Sequence, residues 1–423
     1  MRGPKPGAKG SGWWPACAVW LIIAVIVAVV QLALLFAVSA PARAFSSSVP
    51  LPELAVTPHF ANGEPSPPNI TAKATILVDA DSGKILYSHN ANARLPIAST
   101  TKIMTAIVVL ETLDPRAKAT VSADAVSTIG SVASLVQGEV LSVEDLLRAL
   151  LITSGNDASI ALAEAAAGSV PAFVAKMNAK AKELGLTNTH FVNPNGLTKD
   201  KHYSSAKDLA TMAHYAMKFP LFRRIVNTRG LALPTLPGQK PRRFLSKNQL
   251  LQTYGWVTGV KTGSTPAAGY CVVSSGTQEG VSLITVVLGA ADSDTRWKEA
   301  GALLKYGFSL YPVTVLVDTG QPVAELQTLD VRGRRVSLVA ESPLTTRLFK
   351  TDVATGVVHL NQGGLLPLAG GEIVGRVDFS VNGKALGSVR LLATKPLLQP
   401  MLVKALDYWR TRSPNQLVLT PSG

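Results

Sequence analysis

Cysteine is nearly absent from this chain of 423 residues, which holds only Cys17 and Cys271. Cys17 stands at the start of an apolar N-terminal run, too early for a lipid-modified terminus, so a processed chain would keep Cys271 alone. No intrachain disulfide is then available, and stability has to come from a packed core. Histidine is also sparse, with six residues at 59, 89, 190, 202, 214 and 359. None sits in a His-Glu-x-x-His spacing and no Gly-x-Ser-x-Gly string accompanies them, which argues against a zinc site and a hydrolase nucleophile elbow. Each histidine reads as structural. Acidic residues are outnumbered, 27 against 41 Lys and Arg, for a formal net charge of +14. The basic residues are scattered, so attraction to anionic lipid headgroups or cell-wall polymers is the better physical reading than nucleic acid.

One long hydrophobic run is present. Arg2, Lys5 and Lys9 precede an apolar stretch from Ala16 to Val38, broken only by Gln31, and Ala42-Arg43-Ala44 follows as a small-x-small cleavage pattern. Residues 1–44 are therefore expected to be a signal peptide cleaved near Ala44 or a retained signal anchor. Either outcome puts the remainder outside the cytoplasm, at the outer face of the cell membrane. Residues 45–72, rich in Pro and Ser, read as a spacer unable to build a core.

The first globular signal is a predicted hairpin, Ala74 to Val78 and Lys84 to Tyr87 across Asp79-Ala80-Asp81-Ser82-Gly83. Helical patterns follow over Ser99–Thr112, Val143–Thr153, Asp157–Ala167, Pro171–Leu184 and Ala206–Met217. Strands return at Gly259–Lys261, Tyr270–Ser274 and Val281–Leu288, before a closing helix over Arg296–Tyr306. Strands at both ends with helices between them predict an α+β domain over 73–310, an antiparallel sheet with an inserted helical lobe. From 311 to 395 the texture is short strands, with Val377–Val381 and Leu386–Leu392 joined by Asn382-Gly383, which predicts a small all-β domain. Residues 396–423 form a candidate membrane-associating tail, since Leu402, Ala405, Leu406 and Trp409 share one helical face.

Three strings carry chemistry: Ser99-Thr100-Thr101-Lys102, Ser154-Gly155-Asn156 and Lys261-Thr262-Gly263. A serine hydroxyl needs a base within hydrogen-bond reach. Lys102, one helical turn from Ser99, can be that base if burial and a second cation such as Lys261 lower its pKa. The Ser99 backbone N–H at the helix start can donate to an oxyanion. Ser154 can relay a proton to a leaving amine, and the Asn156 carboxamide can fix a lysine and a substrate amide. Lys261 and Thr262 at a strand end can hold a carboxylate, while Gly263 lets an extended peptide approach.

The order Ser-x-x-Lys, Ser-x-Asn, Lys-Thr-Gly resembles the serine penicillin-recognising enzymes. The text around it narrows the resemblance to the low-molecular-mass D-alanyl-D-alanine carboxypeptidases: Ile97 to Thr105, Thr153 to Ala158, Phe191-Val192-Asn193-Pro194-Asn195-Gly196-Leu197, His202 to Ala210 and Gly259 to Thr265. The likeness covers about residues 73 to 310. It implies Ser99 as acylated nucleophile, Lys102 as its base, and Ser154 and Asn156 as relay and positioning groups. Lys261, Thr262, Gly263 and Thr265 would bind the substrate, its terminal carboxylate included, and the N–H groups of Ser99 and Ser264 would form the oxyanion hole. Arg296 matches a recurrent arginine, although a surface ion pair fits it equally. Ser246-Lys247-Asn248 departs from the family, which often has Asn first. The implied partners are peptidoglycan stem peptides, β-lactam antibiotics and the membrane surface; no cofactor, metal or nucleic acid is called for. A class A β-lactamase would need a Glu followed four residues on by Asn, and Glu164 and Glu183 are followed by Gly168 and Thr187 instead. A DD-endopeptidase acting on cross-links and a catalytically weak wall-binding homologue are the alternatives.

Overall fold

The computed structural model describes residues 54–61, 63–233, 242–328, 334–361, 368–397 and 417–420. The apolar run at 16–38, the cleavage pattern at 42–44 and the amphipathic stretch at 400–412 lie outside the described residues. Among the described residues no single helix is long and apolar enough to cross a membrane.

A short strand, β1 (Leu54–Val56), comes first. The predicted hairpin follows as β2 (Ala74–Asp79) and β3 (Ile85–His89). A 3₁₀ turn over Ala98–Thr101 leads into α1 (Lys102–Thr112), and the small ribbon β4 (Lys118–Thr120) and β5 (Val140–Ser142) precedes α2 (Val143–Arg148). Four helices come next: α3 (Asn156–Ala167), α4 (Val170–Glu183), α5 (Ala206–Ala216) and α6 (Pro220–Val226). The ribbon β6 (Gly230–Leu233) and β7 (Arg242–Leu245) and helix α7 (Gln249–Thr253) lead to β8 (Val257–Thr265), β9 (Gly269–Gln278), β10 (Val281–Ala290) and helix α8 (Ser293–Ser309).

The first domain is built on an antiparallel sheet in the order β3-β2-β10-β9-β8. Its central strands read as continuous apolar runs because both faces are covered. In β2, Ala74, Ile76 and Val78 join Ile103, Met104, Ile107 and Leu209 in the core under the helical lobe, while Leu77 faces Leu303, Leu304 and Phe308 of α8. Strand β8 is left at the edge, beside the start of α1. That edge position, set by the sheet order, brings the Lys-Thr-Gly string to the Ser99 turn.

The second domain is a seven-stranded sheet in the order β1-β15-β16-β17-β13-β12-β18, beside a ribbon of β11 (Val313–Val317) and β14 (Leu344–Arg347). Here β12 is Pro322–Thr328, β13 Arg335–Ala340, β15 Ala354–Leu360, β16 Ile373–Val381, β17 Lys384–Ala393 and β18 Leu417–Thr420. Asn382 and Gly383 both adopt positive φ, 49° and 77°, which is the type I′ geometry expected of an Asn-Gly hairpin. The sheet has its own core around Leu338, Val377, Phe379 and Leu391. An α+β domain followed by a small all-β domain is thus the fold.

The spacer expected over 45–72 needs correction in part. Leu54, Ala55 and Val56 pair with Gly356, Thr355 and Ala354 as an edge strand of the β domain. Thr71 and Ala72 then tie to the buried Glu299 through their N–H groups, at 2.6 and 3.2 Å. A Pro-rich composition prevents a core but leaves three residues free to use a neighbour's open edge.

Candidate active site

Ser99 sits in the 3₁₀ turn ahead of α1, preceded by a residue under backbone strain: Ala98 is in the left-handed region, with φ 47°. The strain is held locally. The Thr101 hydroxyl donates to the Ala98 carbonyl at 2.8 Å and lies 2.8 Å from His202 Nε2, while His202 Nδ1 accepts from the Val192 N–H at 3.1 Å. Since Nδ1 accepts, Nε2 carries the proton and donates to Thr101. Burial lowers the His202 pKa to about 4, with His190 adding to the effect. The expected reading of His202 as structural fits this geometry.

That shift has a measurable consequence. The unfolded chain takes up a proton at His202 near pH 6.5 and the folded one only near 4, so stability falls as pH drops through that window. The expected loss is on the order of 3 kcal/mol by pH 4. His202→Gln should flatten this part of the curve of unfolding midpoint against pH; an unchanged slope would mean His202 titrates normally.

Lys102 is fully buried, and its ammonium has three partners: Ser99 Oγ at 2.9 Å, Asn156 Oδ1 at 2.7 Å and the Asn195 carbonyl at 2.7 Å. Burial lowers its pKa well below the ordinary lysine value, and the charges of Lys261 and Lys247 push the same way, with Asp157 opposing them. The Asp157 carboxylate is held by the backbone N–H groups of Ala133, Leu135 and Ala158. A neutral amine has two N–H donors and one lone pair. With Asn156 and Asn195 accepting the two protons, the lone pair is left for Ser99.

Ser154 ends a π-helical turn over Ala149–Thr153, in the left-handed conformation at φ 66°, and is buried two residues ahead of Asn156. A π turn followed by a left-handed serine is costly backbone of the kind concentrated at functional sites. Lys102 is in direct contact with both Ser99 and Asn156, and Ser154, two residues ahead of Asn156 in the chain, is not one of the Lys102 partners.

On the opposite wall, Lys261 and Gly263 share one face of β8. A side chain at Gly263 would stand 2.7 Å from the Ser99 nitrogen, so the strand can lie this close only with glycine there. Lys261 is buried and donates to the Thr262 carbonyl at 2.9 Å. Burial, with Lys247 and Arg296 nearby, lowers its pKa to about 7. Its charge is one of those that lower the Lys102 pKa. Thr262 is buried, Ser264 is exposed, and the Thr265 hydroxyl accepts from Thr198 Oγ1 at 2.9 Å. Arg296 is no surface ion pair. It is buried against Trp297 and donates to the carbonyls of Gly263 and Cys271 at 3.3 and 3.4 Å, which fixes the end of β8.

Three residues have site positions that sequence reasoning did not assign. Asn195 contributes a backbone carbonyl, which no side-chain pattern can announce, although its surrounding string was conspicuous. His202 supports the Ser99 turn through Thr101. Lys247 donates to Ser131 Oγ at 2.8 Å. Among the described residues no cluster of His, Cys, Asp and Glu could hold a metal ion.

Residues 61–292 match the profile of the family described as D-alanyl-D-alanine carboxypeptidase, peptidase family S11. The chain belongs to that family. Relatives in the S11 family include DacF of Bacillus subtilis, 35% identical over 336 residues, covering 77% of this chain and 86% of that protein. DacA of Escherichia coli K12 is 32% identical over 361 residues, covering 81% and 88%. Penicillin binding protein 5 from Haemophilus influenzae superposes with a TM-score of 0.56 at 30% identity, over 79% of this chain and 99% of that one. The Streptomyces K15 DD-transpeptidase gives 0.55 at 36%, over 58% of this chain and all of its own.

Proposed function

We propose that this S11 peptidase is a serine-type D-Ala-D-Ala carboxypeptidase that trims peptidoglycan stem pentapeptides on the outer side of the cell membrane. The observation that carries the reading is the buried Lys102 amine, held by two fixed acceptors with its third direction on Ser99 Oγ. Lys102 takes the Ser99 proton as Oγ attacks the carbonyl of the penultimate D-Ala. The N–H groups of Ser99 and Ser264 receive the oxyanion. Ser154 relays a proton to the departing D-Ala amine, and Asn156 orients both Lys102 and the substrate amide. Lys261, Thr262, Gly263 and Thr265 bind the extended peptide and its terminal carboxylate. Water then hydrolyses the Ser99 ester. Penicillin enters the same path and stops at the acyl-enzyme.

Support for the location comes from the N-terminal charge and hydropathy pattern, and support for the membrane as partner from the pattern at 400–412 and the excess of basic residues. The name of the K15 relative favours a second reading, in which an amine in place of water takes the acyl group, or a cross-link is the peptide cut.

The decisive assay incubates the protein with a stem pentapeptide and separately with labelled penicillin, beside Ser99→Ala. The parent should release D-Ala and form a covalent adduct, and the variant should do neither. A parent that does neither removes the assignment; D-Ala release with the acyl group passed to an added amine rather than to water would select the second reading.

A further inference from the structure

We propose that Lys247 is a positioning residue for the Lys102 base, acting through the 129–131 segment that grips Asn156. The inference rests on the assignment of Ser99 and Lys102 given above.

Asn156 presents its carboxamide oxygen to Lys102 because the other end of the amide is engaged. Its Nδ2 donates to the Ile129 carbonyl at 2.6 Å, and its backbone N–H donates to the Ser131 carbonyl at 2.7 Å. Both acceptors belong to an irregular stretch, so its placement decides where the carboxamide points. The residues just beyond are anchored by buried carboxylates. Asp157 takes the N–H groups of Ala133 and Leu135, and Glu139 takes the N–H of Val136 and pairs with Arg242. The 129–131 stretch precedes those anchors, and Ile129 is 73% exposed. Ser131 Oγ, however, accepts from the Lys247 ammonium at 2.8 Å.

Lys247 comes from the other wall of the cleft. It follows β7, and the next residue, Asn248, donates through Nδ2 to the Gly259 carbonyl at 3.0 Å, on the strand that carries Lys261. A hydrogen-bonded path therefore runs from Lys247 through Ser131 and Asn156 to Lys102, joining the strand wall to the helical wall. A cationic donor makes the first bond of that path stronger than a neutral one would. Lys247 also bears on Lys102 and Lys261 through its charge.

Four proteins test the proposal: Lys247→Met, Ser131→Ala, their combination, and Lys247→Arg. Each is measured for kcat and KM of D-Ala release from a stem pentapeptide, for the rate of acylation by labelled penicillin, and for its unfolding midpoint. Each of the first two should acylate roughly three- to tenfold more slowly with KM unchanged. The double variant should be no slower than Lys247→Met, because both changes cut one tie. Lys247→Arg should recover the parent rate within about twofold. A raised KM with kcat unchanged in Lys247→Met would make Lys247 a substrate contact and overturn the proposal, as would losses that multiply in the double variant. Ser131→Ala removes only a hydroxyl and keeps the charge, so it carries the test should Lys247→Met unfold. An inactive parent would instead count against the functional assignment itself.

Discussion

Lys102→Arg is expected to fold and to lose acylation of Ser99 almost completely. Arginine keeps the donors that face Asn156 Oδ1 and the Asn195 carbonyl, but its guanidinium stays protonated at neutral pH and has no lone pair to offer Ser99. Lysine is suited to the position for the opposite reason. It is buried among like charges, and so holds its proton weakly. Loss of a general base typically costs 10²–10⁴ in rate, so acylation by labelled penicillin should fall by about 10³. The far-ultraviolet spectrum and unfolding midpoint check the fold, and Lys102→Met, which removes the charge from the buried site, serves as a second variant. Retained acylation in either variant would take the base role away from Lys102.

The second large effect concerns a residue with no reactive group. Gly196 adopts φ 89°, and a Cβ there would fall 1.9 Å from the carbonyl oxygen of Ala98. That oxygen belongs to the strained turn before Ser99, and the residue before Gly196 supplies the carbonyl that holds Lys102. In Gly196→Ala one backbone must move away from the other, and either movement separates Ser99 from its base. A misplacement of this order costs about 10²-fold in rate. Overpacking and the positive φ together should destabilise by about 2–4 kcal/mol. Acylation kinetics and thermal unfolding measure the two losses; a variant that keeps the parent values for both would show that this contact is dispensable.

Much of this was legible in the chain because period and turn chemistry agree with the fold. The two β-rich runs and the turn residues between them at 74–87, the helical spacing around Lys102 and the Asn-Gly turn at 382–383 each encode a local geometry that tertiary packing leaves in place. Ser99 and Lys102 were legible because one helical turn brings them together without help from the rest of the chain. What could not be read depends on contacts made over long separations. The third partner of Lys102 is a main-chain carbonyl 93 residues away, with no side-chain signature. Arg296 looked equally like a surface residue because nothing local announces that it is buried beneath Gly263 and Cys271. β1 was missed because three residues beside many prolines show no usable alternation, and what makes them a strand is an open edge about 300 residues further on. Lys247 stands in the sequence only as part of a departure from a familiar string, since its tie to Ser131 spans 116 residues.

The pairing of β1 with β15 alters how the two domains are joined. Residues 54–56 and 417–420 occupy opposite margins of one sheet, so the catalytic domain leaves the β domain and returns to it as an excursion of the chain. It hangs from two cords. A protease that nicked the chain near 311 would leave the pieces attached through β1, and one that nicked it near 65 would leave them attached through α8 and β11. Only cutting both would leave the catalytic domain held by non-covalent contacts alone, such as Tyr311 to Asp79 and Arg347 to Glu279.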